Sequence, residues 1–242
     1  MFPPFLIIIY KAFTYFLNLF TWIIFVIRSI RKKEEWKRSK ERFGIVDIDN
    51  KADSYIWLHA ASVGELLSIR PLVQKLLNEN YDIFITTTTV SSANLFKKVF
   101  PNSVKHQYIP YDTPIYTNRF LNRLNVELAI FVESEIWPNF IMECKKRKIP
   151  LLLINTRFSD KSFQYWGYAK KSLIYLLDSF KFISSQNTKT HNWLKKLGYE
   201  NIKFLGNIKH DAEKLEINND KLEALKKTIS DKKIILAAST HH

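Results

Sequence analysis

The sequence has little of several residue types that mark common functional sites. Its 242 residues include one cysteine, Cys144, and five glycines. A single cysteine excludes an intrachain disulfide and a metal cluster built on cysteines. The glycines form neither the G-x-G-x-x-G nor the G-x-x-x-x-G-K-[ST] pattern, which argues against common dinucleotide sites and excludes a P-loop. The H-E-x-x-H and G-x-S-x-G patterns are absent as well, so metalloprotease and serine-hydrolase motifs are missing.

Acidic residues are also scarce. Aspartate and glutamate number 23 against 37 lysines and arginines, which gives a formal net charge of +14 and a pI of about 9.7. Such a balance favours anionic partners: nucleic acid, an acidic membrane surface or phosphorylated ligands. A lysine-rich surface without any such partner is the alternative interpretation. The basic stretches lack the interleaved aromatic residues of single-strand nucleic-acid modules, so we expect no nucleic acid partner.

Charge is almost missing from the first thirty residues. In FPPFLIIIYKAFTYFLNLFTWIIFVIRSI, Lys11 is the only charged residue before Arg28. The length roughly matches the ~20 apolar residues that cross a bilayer as a helix, and the basic stretch RKKEEWKRSKER follows directly. No basic n-region or small-residue cleavage site marks a removable signal peptide. We therefore predict a retained membrane anchor helix in 1–30 and a basic linker in 31–54.

The flanks of this anchor predict its orientation. Lysine and arginine collect at the cytoplasmic end of a span, so we expect the following domain on the cytoplasmic side of the inner membrane, against anionic head groups. Lys11 and the Pro3-Pro4 pair leave a helix lying in the membrane interface as an alternative. A buried helix of a soluble protein is the third interpretation.

After the anchor, short apolar runs alternate with segments of helical period. The runs that predict strands are 55–60, 82–89, 106–112, 127–133, 150–156, 181–186 and 202–207. Strands that alternate with helices are typical of right-handed βαβ units and of a parallel sheet covered on both faces. Pro71 predicts a break in the first helix of this α/β fold. We assign 55–215 to one Rossmann-like domain.

The end of the sequence has a different organisation. Residues 216–242 contain a helical pattern, a turn and one more apolar strand. A strand without a successor predicts the start of a second, truncated domain. A strand that closes the first sheet is the alternative.

Polar residues follow most of the predicted strands. In open parallel sheets, ligands bind beyond the carboxyl ends of the strands. The residues at these ends are His59, Ser62, Gly64, Glu65, Thr86 to Thr89, Ser91, Ser92, Glu133, Ser134, Glu135, Asn155, Arg157, Ser159, Gln186, Gly206, Asn207, Lys209 and Asp211. Solvated loops explain each residue alone, but the whole set on one rim favours a binding or catalytic site.

Gly64 and Glu65 lie at the junction between the first strand and the first helix. A glycine lets another molecule approach the backbone closely. Glu65 falls in the first helical turn, where a carboxylate gains roughly 0.3–1 kcal/mol from the helix dipole. An ionised carboxylate within reach of a hydroxyl also acts as a general base, a role typically worth about 10²–10⁴ in rate. Position alone leaves the structural and the catalytic interpretation open.

Six segments in order resemble a known family. They are HAASVGE (59–65), ESEIWPN (133–139), NTRFSD (155–160), SQN (185–187), GNIKHD (206–211) and STH (239–241). Together with the apolar N-terminus and the basic run, they look like the signature of the 3-deoxy-D-manno-octulosonic acid (Kdo) transferases of lipopolysaccharide synthesis. The resemblance implies a GT-B glycosyltransferase fold, in which two Rossmann-like domains face each other across a cleft. Residues 55–215 would be the N-terminal, acceptor-binding half.

The resemblance also implies a reaction. Kdo passes from CMP-Kdo to a glucosamine hydroxyl of a lipid A precursor, lipid IVA, with no metal and no cofactor besides the donor substrate. Glu65 is implied as the general base and Glu133 as a second catalytic carboxylate. Arg157 and Lys209 match basic family positions and are implied to face phosphate or the Kdo carboxylate. The other implied substrate contacts are Ser62, Gly64, Glu135, Asn155 and Asn207.

Two departures from the family pattern affect the expected activity. The family continues beyond STH into a complete donor-binding domain, and His210 stands where an aromatic residue is usual. We therefore expect the chain to need a separate C-terminal half as a partner for transfer. The alternatives are a catalytically inactive, membrane-bound fragment that binds acceptor, and a GT-B transferase that uses a different nucleotide sugar.

Overall fold

The fold is that of a computed structural model, which describes residues 3–47, 52–211, 218–229 and 235. The chain divides into two compact units, Met1–Ala212 and Glu213–His242. In the second unit a helix covers Asn219–Ile229, where the sequence predicts helical period. The strand predicted after it lies outside the described residues, apart from Ile235. The predicted domain boundaries stay predictions.

Seven parallel strands of the first unit form one sheet, in the order β3-β2-β1-β4-β5-β6-β7. The strands are β1 (Tyr55–His59), β2 (Ile83–Thr87), β3 (Lys105–Tyr108), β4 (Val126–Val132), β5 (Leu151–Thr156), β6 (Phe182–Ser185) and β7 (Lys203–Phe204). Each overlaps a predicted run, so the predicted Rossmann-like α/β sheet is confirmed. The strand order changes direction between β1 and β4, which is the topological switch point of such a sheet.

The helices are α1 (Phe5–Leu17), α2 (Thr21–Ile30), α3 (Ser39–Arg42), α4 (Val63–Ser68), α5 (Arg70–Asn78), α6 (Val90–Val99), α7 (Pro114–Arg123), α8 (Pro138–Lys146), α9 (Asp160–Tyr168), α10 (Lys170–Leu177), α11 (Thr188–Lys196) and α12 (Asn219–Ile229). The first three of these precede the first strand, helices α4 to α11 lie between the strands, and α12 belongs to the second unit. The predicted break at Pro71 is confirmed, because α4 ends at Ser68 and α5 begins with the proline in its first turn. Helix α7 was not predicted, although Thr113 caps it and Pro114 follows, which is a helix-start signal.

Strand β1 shows why this sheet needs cover on both faces, since all five of its residues are buried. Trp57 packs on one face against Phe120 and Phe140, with ring centroids 5.1 and 5.3 Å apart. Ile56 and Leu58 belong to the opposite hydrophobic cluster, to which α4, α5 and α6 also contribute. Successive side chains of a strand alternate between faces, so an unbroken apolar strand predicts helices on both sides.

At the N-terminus, α1, a short 3₁₀ turn and α2 form one helical stretch, Phe5–Ile30, whose most apolar 18-residue window has a mean hydropathy of 1.6. Among the described residues this is the one helix that is long and apolar enough to cross a membrane, by length and composition alone. Only 22% of its most apolar window is buried, which is unlike a core helix. The apolar N-terminal helix of the prediction is therefore present.

One side of this helical stretch lies against the sheet domain through polar side chains. The hydrogen-bonded pairs are Tyr10 with Asp112 (2.8 Å), Thr14 with Asn139 (3.0 Å), Asn18 with Thr113 (2.7 Å) and Thr21 with Tyr116 (2.8 Å). The outward side is apolar and exposed, and includes Phe5, Phe13, Phe16, Phe20, Ile23 and Ile30. The inward side is mixed, since the apolar Ile7 and Phe25 are buried as well as Thr14 and Thr21, while most of the apolar side chains of the stretch are exposed.

The basic run after α2 divides into buried and exposed residues. Arg42 is buried, and it donates to Glu34 Oε2 at 2.7 Å and to the Ile109 carbonyl at 3.0 Å. Glu34 also accepts from Arg28 Nε at 2.7 Å. The exposed basic residues are Arg31, Lys32, Lys33, Lys37 and Lys40. Part of this run therefore packs on the sheet domain, and the rest is free to meet anions.

Candidate active site

The loop after β1 places Glu65 in the first turn of α4. Ser62 caps this helix, because its Oγ accepts the Glu65 backbone N–H at 3.3 Å. The Glu65 carboxylate turns back in return: Oε1 accepts the Ser62 hydroxyl at 2.8 Å and Oε2 accepts the Ala61 N–H at 2.8 Å. The S-x-x-E spacing is that of a capping box, but here the glutamate accepts the N–H of Ala61, one residue before the cap, together with the Ser62 hydroxyl. Glu65 therefore stabilises the start of its own helix.

The surroundings of Glu65 also make it more basic than an ordinary glutamate. The residue is only 7% exposed, and its burial raises the pKa of the carboxyl. The Ser62 and Ala61 hydrogen bonds lower this pKa, whereas the negative charges of Glu135 and Glu133 raise it, and the net direction is upward. Two of roughly four lone-pair positions of the carboxylate are occupied. The side chain can thus accept one more hydrogen bond, from a ligand hydroxyl.

Two neighbouring strands end in strained backbone. Glu133 follows β4 with φ +58° and Asn155 lies near the end of β5 with φ +56°. Residues other than glycine rarely adopt this left-handed conformation, although asparagine does so more readily than glutamate. Such strain clusters at functional sites. Here it falls on two predicted site residues.

Lys209 joins the ends of β1 and β4. Its Nζ lies 2.8 Å from Glu133 Oε1, and it would lie 3.8 Å from a Cβ built on Gly64. Apart from its two chain neighbours and the backbone of its own helix, nothing else lies within 4 Å of that Cβ position among the described residues. The fold itself therefore does not require glycine at position 64, and space remains open over the backbone beside Glu65.

A buried hydrogen-bond chain fixes Glu135. Trp57 Nε1 donates to Thr86 Oγ1 at 2.9 Å, and this hydroxyl lies 2.9 Å from His59 Nδ1. His59 Nε2 lies 3.2 Å from Glu135 Oε2, which also accepts from Trp137 Nε1 at 2.6 Å. Burial would raise the pKa of Glu135, but the contacts with His59 and Trp137 outweigh it and the pKa is lowered. This geometry favours an ionised Glu135 carboxylate in a fixed position. The predicted contact of Glu135 with substrate stays a prediction.

A pocket of about 480 Å³ opens beside this cluster. Asn155 forms part of its wall and is 2% exposed. The Asn155 Oδ1 atom accepts the Ile208 N–H at 3.1 Å, while its Nδ2 has no hydrogen-bond partner within the described part of the chain. The other lining residues are Leu72, Ile154, Phe182, Ser184, Leu205, Gly206, Asn207, Ile208, His210 and Asp211. An unpaired buried donor at a pocket wall is suited to a ligand oxygen.

The structure brings most of the predicted site residues together. Contacts connect Ser62 with Glu65, and Lys209 with Glu133 and the space over Gly64, and Asn207 Oδ1 accepts the Lys209 N–H at 3.0 Å. Asn155 is joined through Ile208, and the charge of Glu135 acts on Glu65. Arg157 is different: it is exposed, and within the described part of the chain its one hydrogen bond is from the Ser134 hydroxyl to its carbonyl. No group of three or more His, Cys, Asp or Glu within the described ranges could hold a metal ion.

Another buried carboxylate, Asp112, is not among the residues that the sequence indicates. It accepts the backbone N–H groups of Asn139 and Phe140 at the start of α8, at 3.1 and 3.0 Å, and the Tyr10 hydroxyl at 2.8 Å. Burial raises the pKa of Asp112 to about 6, although all these hydrogen bonds lower it. The sequence signal nearest to Asp112 is Thr113-Pro114, which marks the start of α7 and not the contact of Asp112 with α8.

Fold and site together define a class of protein. A Rossmann-like domain carries a cluster of carboxylates, one lysine and a pocket at the carboxyl ends of its strands, where such domains bind ligands. The chain belongs to the 3-deoxy-D-manno-octulosonic-acid transferase (kdotransferase) family, whose sequence profile matches residues 37–212. That range contains every predicted site residue, so the resemblance is confirmed at the level of the family.

Individual relatives carry the same name as the family. The 3-deoxy-D-manno-octulosonic acid transferase of Rickettsia bellii (strain RML369-C) is 37% identical over 91% of this chain and 53% of its own. The enzyme of that name from Haemophilus influenzae is 33% identical over 88% of this chain and 52% of its own. The chain thus spans about half the length of these relatives. One solved structure, provisionally described as a UDP-N-acetylglucosamine 2-epimerase from Listeria monocytogenes, aligns with a TM-score of 0.49 and 14% identity, covering 72% of this chain and 51% of its own. That likeness says nothing about function.

Proposed function

We propose that the chain is the acceptor-binding half of a glycosyltransferase that moves Kdo from CMP-Kdo to a hydroxyl of a lipid A precursor. The observation that carries this proposal is the position of Glu65. Its pKa is raised by burial, and it lies at the switch point of the sheet beside the open backbone of Gly64. Family membership supports Kdo as the sugar, because the relatives carry that activity in their names.

In this proposal Glu65 is the general base. It accepts the proton of the acceptor hydroxyl while the oxygen attacks the anomeric carbon of Kdo, and the bond from that carbon to the CMP phosphate oxygen breaks. CMP leaves with the bonding electron pair. A raised pKa suits this task, because a base works best when its pKa lies near the working pH. The charges of Glu133 and Glu135 favour the protonated product state of Glu65.

The neighbouring residues would hold the substrates. Lys209 lies beside Glu133 and the open space over Gly64, so its ammonium is suited to a phosphate or to the Kdo carboxylate. The unpaired Asn155 Nδ2 would donate to a sugar hydroxyl in the adjoining pocket. Glu133, in its strained conformation, would orient the acceptor. Arg157 could reach the donor from the exposed rim.

A second candidate function is favoured by the helix cap. Both Glu65 oxygens already accept hydrogen bonds from Ser62 and Ala61, which explains the residue without catalysis. On this interpretation the chain holds a phosphorylated acceptor at the membrane and performs no transfer. The sequence alternative of another nucleotide sugar has no such observation in its favour.

The test uses CMP-Kdo and a lipid A precursor with the chain alone and with a separately produced C-terminal half from a relative. We expect turnover when both halves are present, and a loss of about 10²–10⁴ in rate with Glu65→Gln. Glutamine keeps the capping oxygen but cannot take the proton, so the two roles separate. Full turnover by the glutamine variant would show that Glu65 is not the base. Acceptor binding without turnover in every combination would favour the second candidate function, acceptor binding without transfer.

We further infer that the helical stretch Phe5–Ile30 lies in the plane of the inner membrane, on its cytoplasmic side. The polar contacts of Tyr10, Thr14, Asn18 and Thr21 fix one side of it to the sheet domain. A transmembrane path would separate these pairs, whereas an interfacial path immerses only the exposed apolar side. The exposed lysines and arginines of residues 31–40 would then face anionic head groups.

An epitope fused ahead of Met1 tests this orientation in inverted membrane vesicles. If the helix lies in the plane, added protease removes the epitope and digests the sheet domain from the same side. If the helix spans the bilayer, the epitope is protected while the sheet domain is digested. The protected result would overturn the in-plane inference and leave the proposed transferase function untouched.

A further inference from the structure

A second pocket shares no lining residue with the carboxylate cluster or with the pocket beside it. It has a volume of about 470 Å³ and is formed by α1, α8 and α10. Its lining residues are Pro3, Ile7, Ile8, Lys11, Met142, Lys145, Lys146 and Tyr175. The floor is therefore apolar, while three of the lining side chains end in an ammonium group.

The three ammonium groups leave a positive excess at this pocket. Lys145 Nζ lies 4.8 Å from the centroid of the Tyr175 ring, so an aromatic face holds it there. Lys146 lies 3.8 Å from Glu143 Oε1, but that oxygen has a closer partner in Arg147 Nε at 2.9 Å. Lys11 is exposed on α1. Among the described residues, Glu143 is the carboxylate that forms an ion pair with this group, and because an arginine already engages it, it does not balance the three ammonium charges.

The pocket continues into the outward apolar side of α1. Lys11 and Ile8 also line a neighbouring groove of about 320 Å³ with Ala12, Tyr15, Phe16 and Pro114. Lys11 thus lines two neighbouring apolar depressions, on a helix that also exposes Phe5 and Phe13. A soluble anion would use the ammonium groups and leave the apolar floor uncovered. A molecule with an anionic head and an acyl chain would use both.

We propose that this pocket binds one anionic phospholipid of the membrane. Its phosphate meets Lys11, Lys145 and Lys146, and an acyl chain lies against Ile7, Ile8 and Met142. The bound lipid would extend the contact of α1 with α8 and α10. The proposal rests on the in-plane placement of α1 given above, and it is independent of the chemistry at Glu65.

Phosphatidylglycerol is the probe, and a matched lysine pair provides the control. The purified chain is added to phosphatidylcholine vesicles with and without phosphatidylglycerol, and native mass spectrometry of the detergent-solubilised chain counts retained lipid. Lys145→Gln with Lys146→Gln is expected to weaken binding to the anionic vesicles about thirtyfold, from ~1 kcal/mol per lysine. It should also remove the retained phosphatidylglycerol. Lys195→Gln with Lys196→Gln removes the same charge from the last turn of α11, and should preserve retention.

Four outcomes would overturn the proposal. An equal loss in both double variants would show diffuse attraction to a charged surface, and an unchanged Lys145/Lys146 variant would show no contribution from the pocket. Retention of phosphatidylcholine as strong as that of phosphatidylglycerol would remove the charge argument. Displacement by glycerol phosphate at similar concentration would identify a soluble-anion site. Glu65→Gln should leave retention unchanged, so a failure of transfer and a failure of lipid binding are distinguishable.

Discussion

Two carboxylates in this molecule have the same 7% exposure and lie against the start of a helix. Glu65 caps α4 from within its own first turn, and Asp112 accepts N–H groups at the start of α8 from another loop. Burial raises the pKa of both. Exposure, helix position and acidity therefore do not distinguish a catalytic candidate from a structural residue.

The neighbours of the two carboxylates do distinguish them. Asp112 is covered by α1, whose Tyr10 hydroxyl donates to it. Glu65 instead lies near the charges of Glu133 and Glu135 and next to open space over Gly64. A buried acid that is saturated by donors serves the fold, whereas a buried acid with like charges and free space beside it is suited to take a proton.

Removing Asp112 should have the largest effect on stability. Asp112→Ala leaves the N–H groups of Asn139 and Phe140 and the Tyr10 hydroxyl without their acceptor. Each unsatisfied buried group costs roughly 1–3 kcal/mol, so we expect a loss of about 3 kcal/mol in the free energy of unfolding. Urea unfolding in detergent measures it, and limited proteolysis should show α1 released.

Tyr10→Phe serves as the graded control for this prediction. It removes one donor and no acceptor, so its cost should be about 1 kcal/mol, from one hydrogen bond. Asp112→Ala with a cost below that of Tyr10→Phe would contradict the structural role given to Asp112.

Glu65 should respond to substitution in a different manner. Glu65→Ala loses the capping contacts and should cost about 1 kcal/mol of stability, while Glu65→Gln retains a capping oxygen and should cost about half as much or less. Both variants should lose transfer. Urea unfolding measures the first effect and the Kdo transfer assay the second. Equal destabilisation by both variants would show that the carboxylate charge, rather than the capping geometry, stabilises α4.

The sequence predicted the sheet well because its strands are buried on both faces. Runs such as YIWLH have no other stable place than the centre of a covered sheet, and the alternation with helical period then indicates the parallel topology. The predicted rim of polar strand ends also assembled, since the carboxyl ends of parallel strands meet at one edge. Ser62, Glu65, Glu133 and Lys209 were found by that argument.

The remaining features depend on contacts distant in sequence. The pairing of Tyr10 with Asp112 joins residues 102 positions apart, and no local pattern indicates it. The polar contact side of residues 1–30 was not predicted either. Its four polar residues stand among many apolar ones, and the sequence pattern there is that of a membrane-spanning helix with a few polar residues. The S-x-x-E pattern in SVGE is a local signal, and it predicts the contact between Ser62 and Glu65 at the start of α4. The exposed position of the Arg157 side chain could not be predicted from the sequence either.

The free energy of unfolding should also depend on pH through Asp112. The pKa of Asp112 is about 6 in the folded chain against an ordinary value of 3.8, so the folded state binds this proton more tightly than the unfolded state. Stability from this group therefore increases as pH falls from 7 to 5, on the order of 1 kcal/mol, and is lost as pH rises through 6. The difference in unfolding free energy between the native chain and Asp112→Asn isolates it. A difference that stays constant with pH would show that Asp112 does not titrate there.

The raised pKa of Glu65 should be visible in the pH dependence of the rate instead. A general base must be ionised, so transfer should decline as pH falls through this pKa, at a higher pH than for an ordinary glutamate. Glu65→Asp, which keeps a base of different reach, should retain an acidic limb at reduced rate. A rate that does not change over the acidic range would contradict the assignment of Glu65 as the base.

The smallest effect on stability is expected at Gly64, where it should also be of opposite sign. A Cβ there would meet only Lys209 Nζ, at an ordinary 3.8 Å, among the described residues, and alanine is the better helix former by up to about 1 kcal/mol. Gly64→Ala should therefore stabilise the chain by about 0.5 kcal/mol in urea unfolding. If the open space receives the acceptor, the same methyl group should raise the KM for the lipid precursor. A more stable variant with unchanged KM would place the acceptor elsewhere, and Glu65 would then resemble Asp112 in role as well as in burial.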